Sequence, residues 1–297
     1  RAIDLAGRIL ANNSPTNIDK ITVINVDYGI ETLRATIPRE VLVDSVMSGA
    51  LDEELLEFTT DDYLDPDASV VDNDYLYPHF AWFLTPTLAG TLQHPEKFYF
   101  WQLLAIAGSQ VAFKKGLYLS TEYAINIKNN YDKGYDYHWP DGELYHVRQN
   151  RRLYIREGES GMRRLSIDHV LNLHPNVKGK ITAGYIEMMF GGVGGEVIYM
   201  PDDKRWALGA NAYWVKQRDF NQKFGFQDYD TVTGFLSYYY DMPFYDMRFK
   251  IDAGRFLGKD VGVHLDFSRR LKTGARFGAI VAITNCDASC VGEGSFN

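Results

Sequence analysis

Glu187 and Glu196 bracket a run of glycines, Gly191-Gly192-Val193-Gly194-Gly195, in "EMMFGGVGGEV". Glycine runs can cradle phosphate, and a carboxylate pair can supply acid and base for glycoside hydrolysis. This run lacks the Lys-Ser/Thr that follows in a phosphate loop, and no helical spacing follows it. It reads instead as a glycine hairpin joining two strands, with both glutamates as solvated loop residues. His169 and His264 stand singly on strand-like stretches without a ligand-spaced partner, so they argue for no metal site. Cys286 and Cys290, in "TNCDASC", have the spacing of half a metal site, but no His or further Cys lies close in sequence. A small loop disulfide formed in an oxidising compartment is favoured. A free pair is the alternative, because so short a loop restricts disulfide geometry. No cofactor is expected, and no bond-breaking chemistry.

The richer set lies on alternate residues of successive strands: Glu122, Asp168, Arg248, Lys250, Asp252, His264, Asp266 and Arg276. Cations fall beside anions on neighbouring strands. A cross-strand charge ladder that plugs and rigidifies the interior is the favoured reading. A polar track for sugar hydroxyls or uronates is the alternative. Tyr131, Tyr135, Tyr137 and Trp139, joined by Tyr145, crowd one loop amid Asp and Asn. Aromatic faces beside amides and carboxylates suit carbohydrate stacking, and they equally suit a loop folded over a mouth.

Strands must position these residues. Phe249, Ile251 and Ala253 alternate with Arg248, Lys250 and Asp252; Val261, Val263, Leu265 and Phe267 alternate with His264, Asp266 and Ser268. Leu119, Tyr123, Ile125 and Ile127 oppose Tyr118, Ser120, Glu122 and Asn126. Most strand stretches are about 9–11 residues long, enough for a tilted strand to cross a bilayer. The joints are expected near 114–116, 174–178, 201–205, 241–246, 257–260 and 271–274 (short), and near 129–162, 188–195 and 216–229 (longer). Short turns at one end and longer loops at the other are a habit of outer-membrane barrels. Trp206, Trp214, Tyr238 and Tyr240 fall near strand ends on the apolar side, where an interfacial girdle belongs. A soluble barrel or sandwich would show the same alternation with its oily face inward.

Residues 1–75 differ. A helical spacing at Ile3, Leu5, Ala6, Ile9 and Leu10 precedes two strands and a second helix opening at Pro38. The acidic, proline-bearing stretch "TTDDYLDPDASVVDNDYLYP" has the composition of a linker.

The 297 residues carry a net charge of −8, which argues against a nucleic-acid binder, for which a basic stripe is needed. Mean hydropathy is −0.27, and no uninterrupted apolar run could form a spanning helix. The expected fold is mainly β: an antiparallel transmembrane β-barrel over 76–297, incomplete at its C-terminus, preceded by a small α/β unit over 1–75. The absence of an initiating Met and the ending at a loop read as a fragment of something longer.

The blocks "GGVGGEV", "RWALGA", "VKQRDF", "AGRFLGKD" and "GEGSF", with the opening "RAIDLAGRIL", resemble the YjbH/GfcD family of Gram-negative exopolysaccharide and capsule biosynthesis proteins. The likeness is densest from Gly184 to Phe296. It implies an outer-membrane β-barrel, often a lipoprotein, that assists secretion or assembly of a surface polysaccharide. The partners so implied are outer-membrane lipid, the polysaccharide and periplasmic proteins of the same export system, with the α/β unit in the periplasm. A polysaccharide-modifying enzyme in a barrel scaffold and a purely structural docking protein are the alternatives. The resemblance transfers no catalytic residue, and the "CDASC" before "GEGSF" departs from the family pattern.

Overall fold

The computed structural model describes residues 2–27, 30–48, 76–94, 97–133, 144–145, 147–148, 150–201, 204–271 and 273–286. The chain divides into two compact units, Arg1–Tyr77 and Pro78–Asn297.

In the first unit the order is α1 (Ala2–Asn13), β1 (Lys20–Asp27), β2 (Ile30–Pro38) and α2 (Arg39–Ser48). Helix α1 stops where the Asn13 and Ser14 side chains donate back to the carbonyls of Ile9 and Leu10. The two strands pair antiparallel from Lys20↔Pro38 to Asp27↔Ile30. Pro38 closes the second strand, and its fixed φ leads directly into α2. Ala11, Ile21, Ile37 and Leu42 form the buried core. The acidic stretch expected as a linker lies almost wholly outside the described residues.

The second unit is one antiparallel sheet of 11 strands in strict chain order. They are β3 (His79–His94), β4 (Lys97–Lys114), β5 (Leu117–Asn129), β6 (Gly161–His174), β7 (Val177–Tyr185), β8 (Phe190–Tyr199), β9 (Trp206–Arg218), β10 (Phe226–Asp241), β11 (Met247–Arg255), β12 (Val261–Arg270) and β13 (Arg276–Thr284). Between β5 and β6 lie a 3₁₀ turn, Tyr131–Lys133, and a short helix, α3 (Arg151–Glu157). The protein is thus mainly β, built on one large antiparallel sheet. Strands β3 and β13 are its edges, and among the described residues no pairing joins them. Pro86 sits within β3, where an edge strand can spare a backbone donor.

The two faces of the sheet are inverted relative to a soluble protein. The apolar face is the open one: Trp82, Leu88 and Leu236 are each about two-thirds exposed, and Ile167, Ile181, Val232 and Ile283 are at least half exposed. The polar face is the covered one, with Ser166 at 1%, Asp168 at 4% and Ser237 at 4% exposure. All eight ladder residues named above share this polar face, as the strand registers require.

The sheet also curls. Helix α3 is seven residues long, about 10 Å. Its Ile155 packs with Phe100 of β4, while the adjacent Tyr154 packs with Phe190 of β8 and Val215 of β9. Strands β4 and β9 are five spacings apart, about 24 Å on a flat sheet. One short helix meets both only if the sheet bends around it.

Glycines 191, 192, 194 and 195 do not form the expected hairpin. They lie inside β8, and the turn is at 186–189 instead. A Cβ at Gly194 would collide with the Tyr213 ring, and one at Gly192 with the backbone of β9. These glycines mark close approach in a bent sheet rather than a turn. At Gly184, at the end of β7, φ is +126°, a conformation open to glycine. The joint expected over 216–229 likewise shrinks to 219–225, because both flanking strands continue further. The difference in loop length between the two ends therefore rests mainly on residues 130–160. The sequence reading also passed over the β3–β4 hairpin and the helix within 129–162.

Candidate functional site

The polar face carries its carboxylates in filled pockets of donors. Asp168 on β6 accepts from Thr182 (2.8 Å), Ser166 (2.9 Å) and Arg164 (2.9 Å). Asp252 on β11 accepts from Ser237 (2.6 Å), with Lys250 Nζ at 2.8 Å and His264 Nδ1 at 3.2 Å. Asp266 on β12 takes Arg276 Nη2 at 3.0 Å, and the same guanidinium donates to Ser268. Arg248 binds Asp241 with both Nε (2.5 Å) and Nη2 (2.8 Å). Glu122 stands opposite Arg164 in the β5–β6 register. The eight residues thus share one face, where Asp241–Arg248, Asp252–His264 and Asp266–Arg276 pair across strands while Asp168 and Asp252 also take a cation from their own strand.

The two glutamates around the glycine run are also matched to cations. Glu187 meets Arg148 at 2.7 Å, and Glu196, on β8 rather than in a loop, pairs with Lys180. His264 serves Asp252, whereas His169 lies on the opposite, apolar face. No group of three or more His, Cys, Asp or Glu suited to a metal is present among the described residues. Cys286 is in a disulfide; Cys290, the only other cysteine of the sequence, lies outside the described residues.

The segment between β5 and β6 covers one end of this face. Tyr131, one of the loop aromatics equally suited to sugar stacking or to a loop folded over a mouth, is buried and stacked on Phe100 at 4.7 Å. Its ring is used by the core. Tyr135, Tyr137 and Trp139 lie outside the described residues. Tyr145 stacks on Tyr229 at 3.8 Å and donates to Gln217 at 2.7 Å.

Arg218, at the end of β9, is the residue that pattern reasoning missed. It is fully buried, yet among the described residues no carboxylate forms an ion pair with it. Its Nη1 donates to the carbonyls of Met162 and Glu187 (2.8 Å each), and its Nη2 to those of Gln222 (3.1 Å) and Lys223 (3.2 Å). Its guanidinium lies 4.6 Å from the Tyr185 ring centre. Its own carbonyl receives the Tyr154 hydroxyl at 2.5 Å. Gln222 then donates to the carbonyls of Tyr154 and Gly158, tying α3 to loop 219–225. Burial pushes the Tyr154 hydroxyl up to about 12. Tyr145 is raised for the same reason.

A cavity of about 570 Å³ remains between the covering segment and strands β10–β12. Leu144, Tyr145, Val147 and Arg148 line it from one side. Thr233, Phe235, Asp252, Phe256, Leu257, Gly258, Asp260 and His264 line it from the other. Phe235 and Phe256 meet edge to face at 4.9 Å. Aromatic surface with a few convergent polar groups is the usual make-up of a small-molecule or sugar site.

The family model described as exopolysaccharide biosynthesis protein YbjH, that of the YjbH family, matches residues 1–297. An uncharacterized lipoprotein, YjbH, of Escherichia coli strain K12 is 33% identical over 223 residues, 73% of this chain and 32% of that relative. The chain thus spans about a third of the length of the curated relative it matches. No solved structure matches it. The family match over the whole chain, with a relative that shares a third of the aligned residues, places this chain in the YjbH family of exopolysaccharide biosynthesis proteins.

Proposed function

We propose that the 78–297 unit is part of an outer-membrane β-barrel that assists export or assembly of an exopolysaccharide, and that it does so by binding rather than by bond-breaking. The inverted sheet carries this reading. Apolar side chains cover the open face over many strands, an area far beyond the few hundred Å² a soluble monomer leaves bare. Lipid satisfies that face, and the polar face then lines an interior. The shorter strands fit a tilted crossing: β7, β11 and β13 have nine residues each. On β9, Trp206 and Trp214 are eight residues apart, about 27 Å along the strand. At a 40° tilt that is about 20 Å of membrane depth, close to the apolar band between aromatic girdles. The indole of Trp214 also donates to Asp230 at 3.1 Å, as an interfacial ring should. No helix among the described residues is long and apolar enough to cross a membrane, so strands would do the crossing. The non-enzymatic role is favoured because Asp168, Asp252, Asp266 and both glutamates are already matched to cations.

The test is tryptophan quenching. Trp82, Trp101, Trp206 and Trp214 all stand on the apolar face by register. The full-length protein is reconstituted in vesicles whose acyl chains carry bromine. Contact quenching of these four indoles is expected, and it should vanish in unbrominated vesicles. Emission unchanged by bromine would place the apolar face against protein and end the membrane reading.

A further inference from the structure

The polar face of β10–β12 has two unlike ends. The aromatic cavity occupies one. At the other, among the short turns, a second cavity of about 520 Å³ is lined by Arg205, Arg248, Arg270 and Arg276, with Asp241 and Asp246 as its only carboxylates. Between the two runs the ladder of Asp252, Lys250, Asp266 and Arg276.

Resting on the reading just given, we propose that this second cavity is an anion-binding mouth, and that the polysaccharide it admits is acidic, carrying carboxylate or phosphate groups.

Three observations carry this. Arg270 and Arg276 are direct cross-strand partners of the β12–β13 ladder. Like charges placed directly opposite destabilise a sheet unless an anion lies between them. Next, two of the carboxylates at hand are spent. Asp241 is engaged by both donors of the Arg248 fork, and Asp266 holds Arg276 from deeper in the face. Arg270 and Arg205 have no ion pair among the described residues. Finally, the excess is local. Four arginines against two aspartates line this cavity, in a chain whose net charge is −8.

An arginine fork takes a carboxylate or phosphate through two parallel donors. Arg270 beside Arg276 can therefore grip one acidic substituent while Arg276 still leans on Asp266. Arg248 and Arg276 lie on the polar face, opposite the exposed apolar side chains. A glycan in the interior reaches them, whereas a lipid phosphate would meet the sheet from its other side. The aromatic cavity at the far end offers Phe235, Phe256 and Tyr145 for sugar faces, so the strip runs from charge recognition to stacking.

The experiment measures binding of oligogalacturonate, with neutral dextran oligomers and inorganic phosphate as parallel probes, to full-length protein in detergent by calorimetry. Oligogalacturonate is expected to bind, more weakly as salt rises, and dextran of equal length at least tenfold more weakly. Arg270→Gln should weaken oligogalacturonate binding about tenfold; this side chain has no ion pair to lose, so folding should be spared. Arg276→Lys should retain part of the affinity that Arg276→Gln loses. Equal binding of dextran, or unchanged binding in Arg270→Gln, overturns the proposal. So does Arg270-dependent binding to phosphatidylglycerol vesicles without binding to oligogalacturonate, which would assign the mouth to lipid. The measurement needs no bilayer, so it fails or succeeds independently of the bromine quenching. Quenching without oligogalacturonate binding sinks the mouth alone, and binding without quenching sinks the membrane reading alone.

Discussion

At Arg218 a guanidinium is buried among carbonyl oxygens, and its removal would orphan acceptors contributed by three separate segments. Arg218→Met is expected to cost about 3 kcal/mol or more, since each hydrogen bond to a charged group contributes about 1.5–3 kcal/mol. Hydrogen exchange should show the loss in α3 and loop 219–225 first, with the strands protected as before. Equal loss across all strands would mean that Arg218 holds the sheet rather than its covering segment. Tyr154 adds a pH signature. Its folded hydroxyl titrates near 12, against about 10 in an unfolded chain. The folded state therefore binds this proton more tightly, so its stabilisation is whole below pH ~10 and is lost as pH rises through about 12. Tyrosinate absorbance should show a late-titrating component in that window, absent in Tyr154→Phe. Neither residue was legible beforehand. "VKQRDF" contains Arg218, but nothing in a strand-end arginine tells burial among carbonyls from solvation. The ladder residues were legible because period-2 alternation fixes which side chains share a face.

Among elements, alternation predicted most strands, and it failed where residue type and position conflict. Glycines in "GGVGG" suggested a turn, yet they continue β8 because Tyr213 and the β9 backbone press against them. Pro86, a residue type that strand interiors avoid, lies within β3, which as an edge strand can spare a backbone donor. Helix α3 was hidden because "RRLYIRE" is mostly charged, and it buries Tyr154 and Ile155 at adjacent rather than helically spaced positions. The face assignment itself can be tested on β12. Val263 stands on the apolar face, between Ala253 and Ile283. Val263→Arg is expected to cost about 2–4 kcal/mol near the bilayer midplane, read by urea titration in lipid. His264→Arg, one residue along, should cost far less, because Asp252 is there to receive the charge. Equal costs would mean that the two faces see the same surroundings.

For the molecule as a whole, every strand of the sheet pairs with its neighbour in the chain, and the covering segment is spliced between β5 and β6. Sequence could show strands and a resemblance, but not curvature, which depends on where α3 meets β4 and β9 at once. That double contact has a consequence in time. Pairings between successive strands are local, so hairpins can add one after another at small loop-closure cost. The segment 131–157 enters the chain before eight of the eleven strands, β6 through β13. An object inside a curling wall has to be seated before the wall comes round. Assembly therefore has a built-in order, in which α3 docks on the earlier strands and then serves as the mandrel on which the later ones are wound.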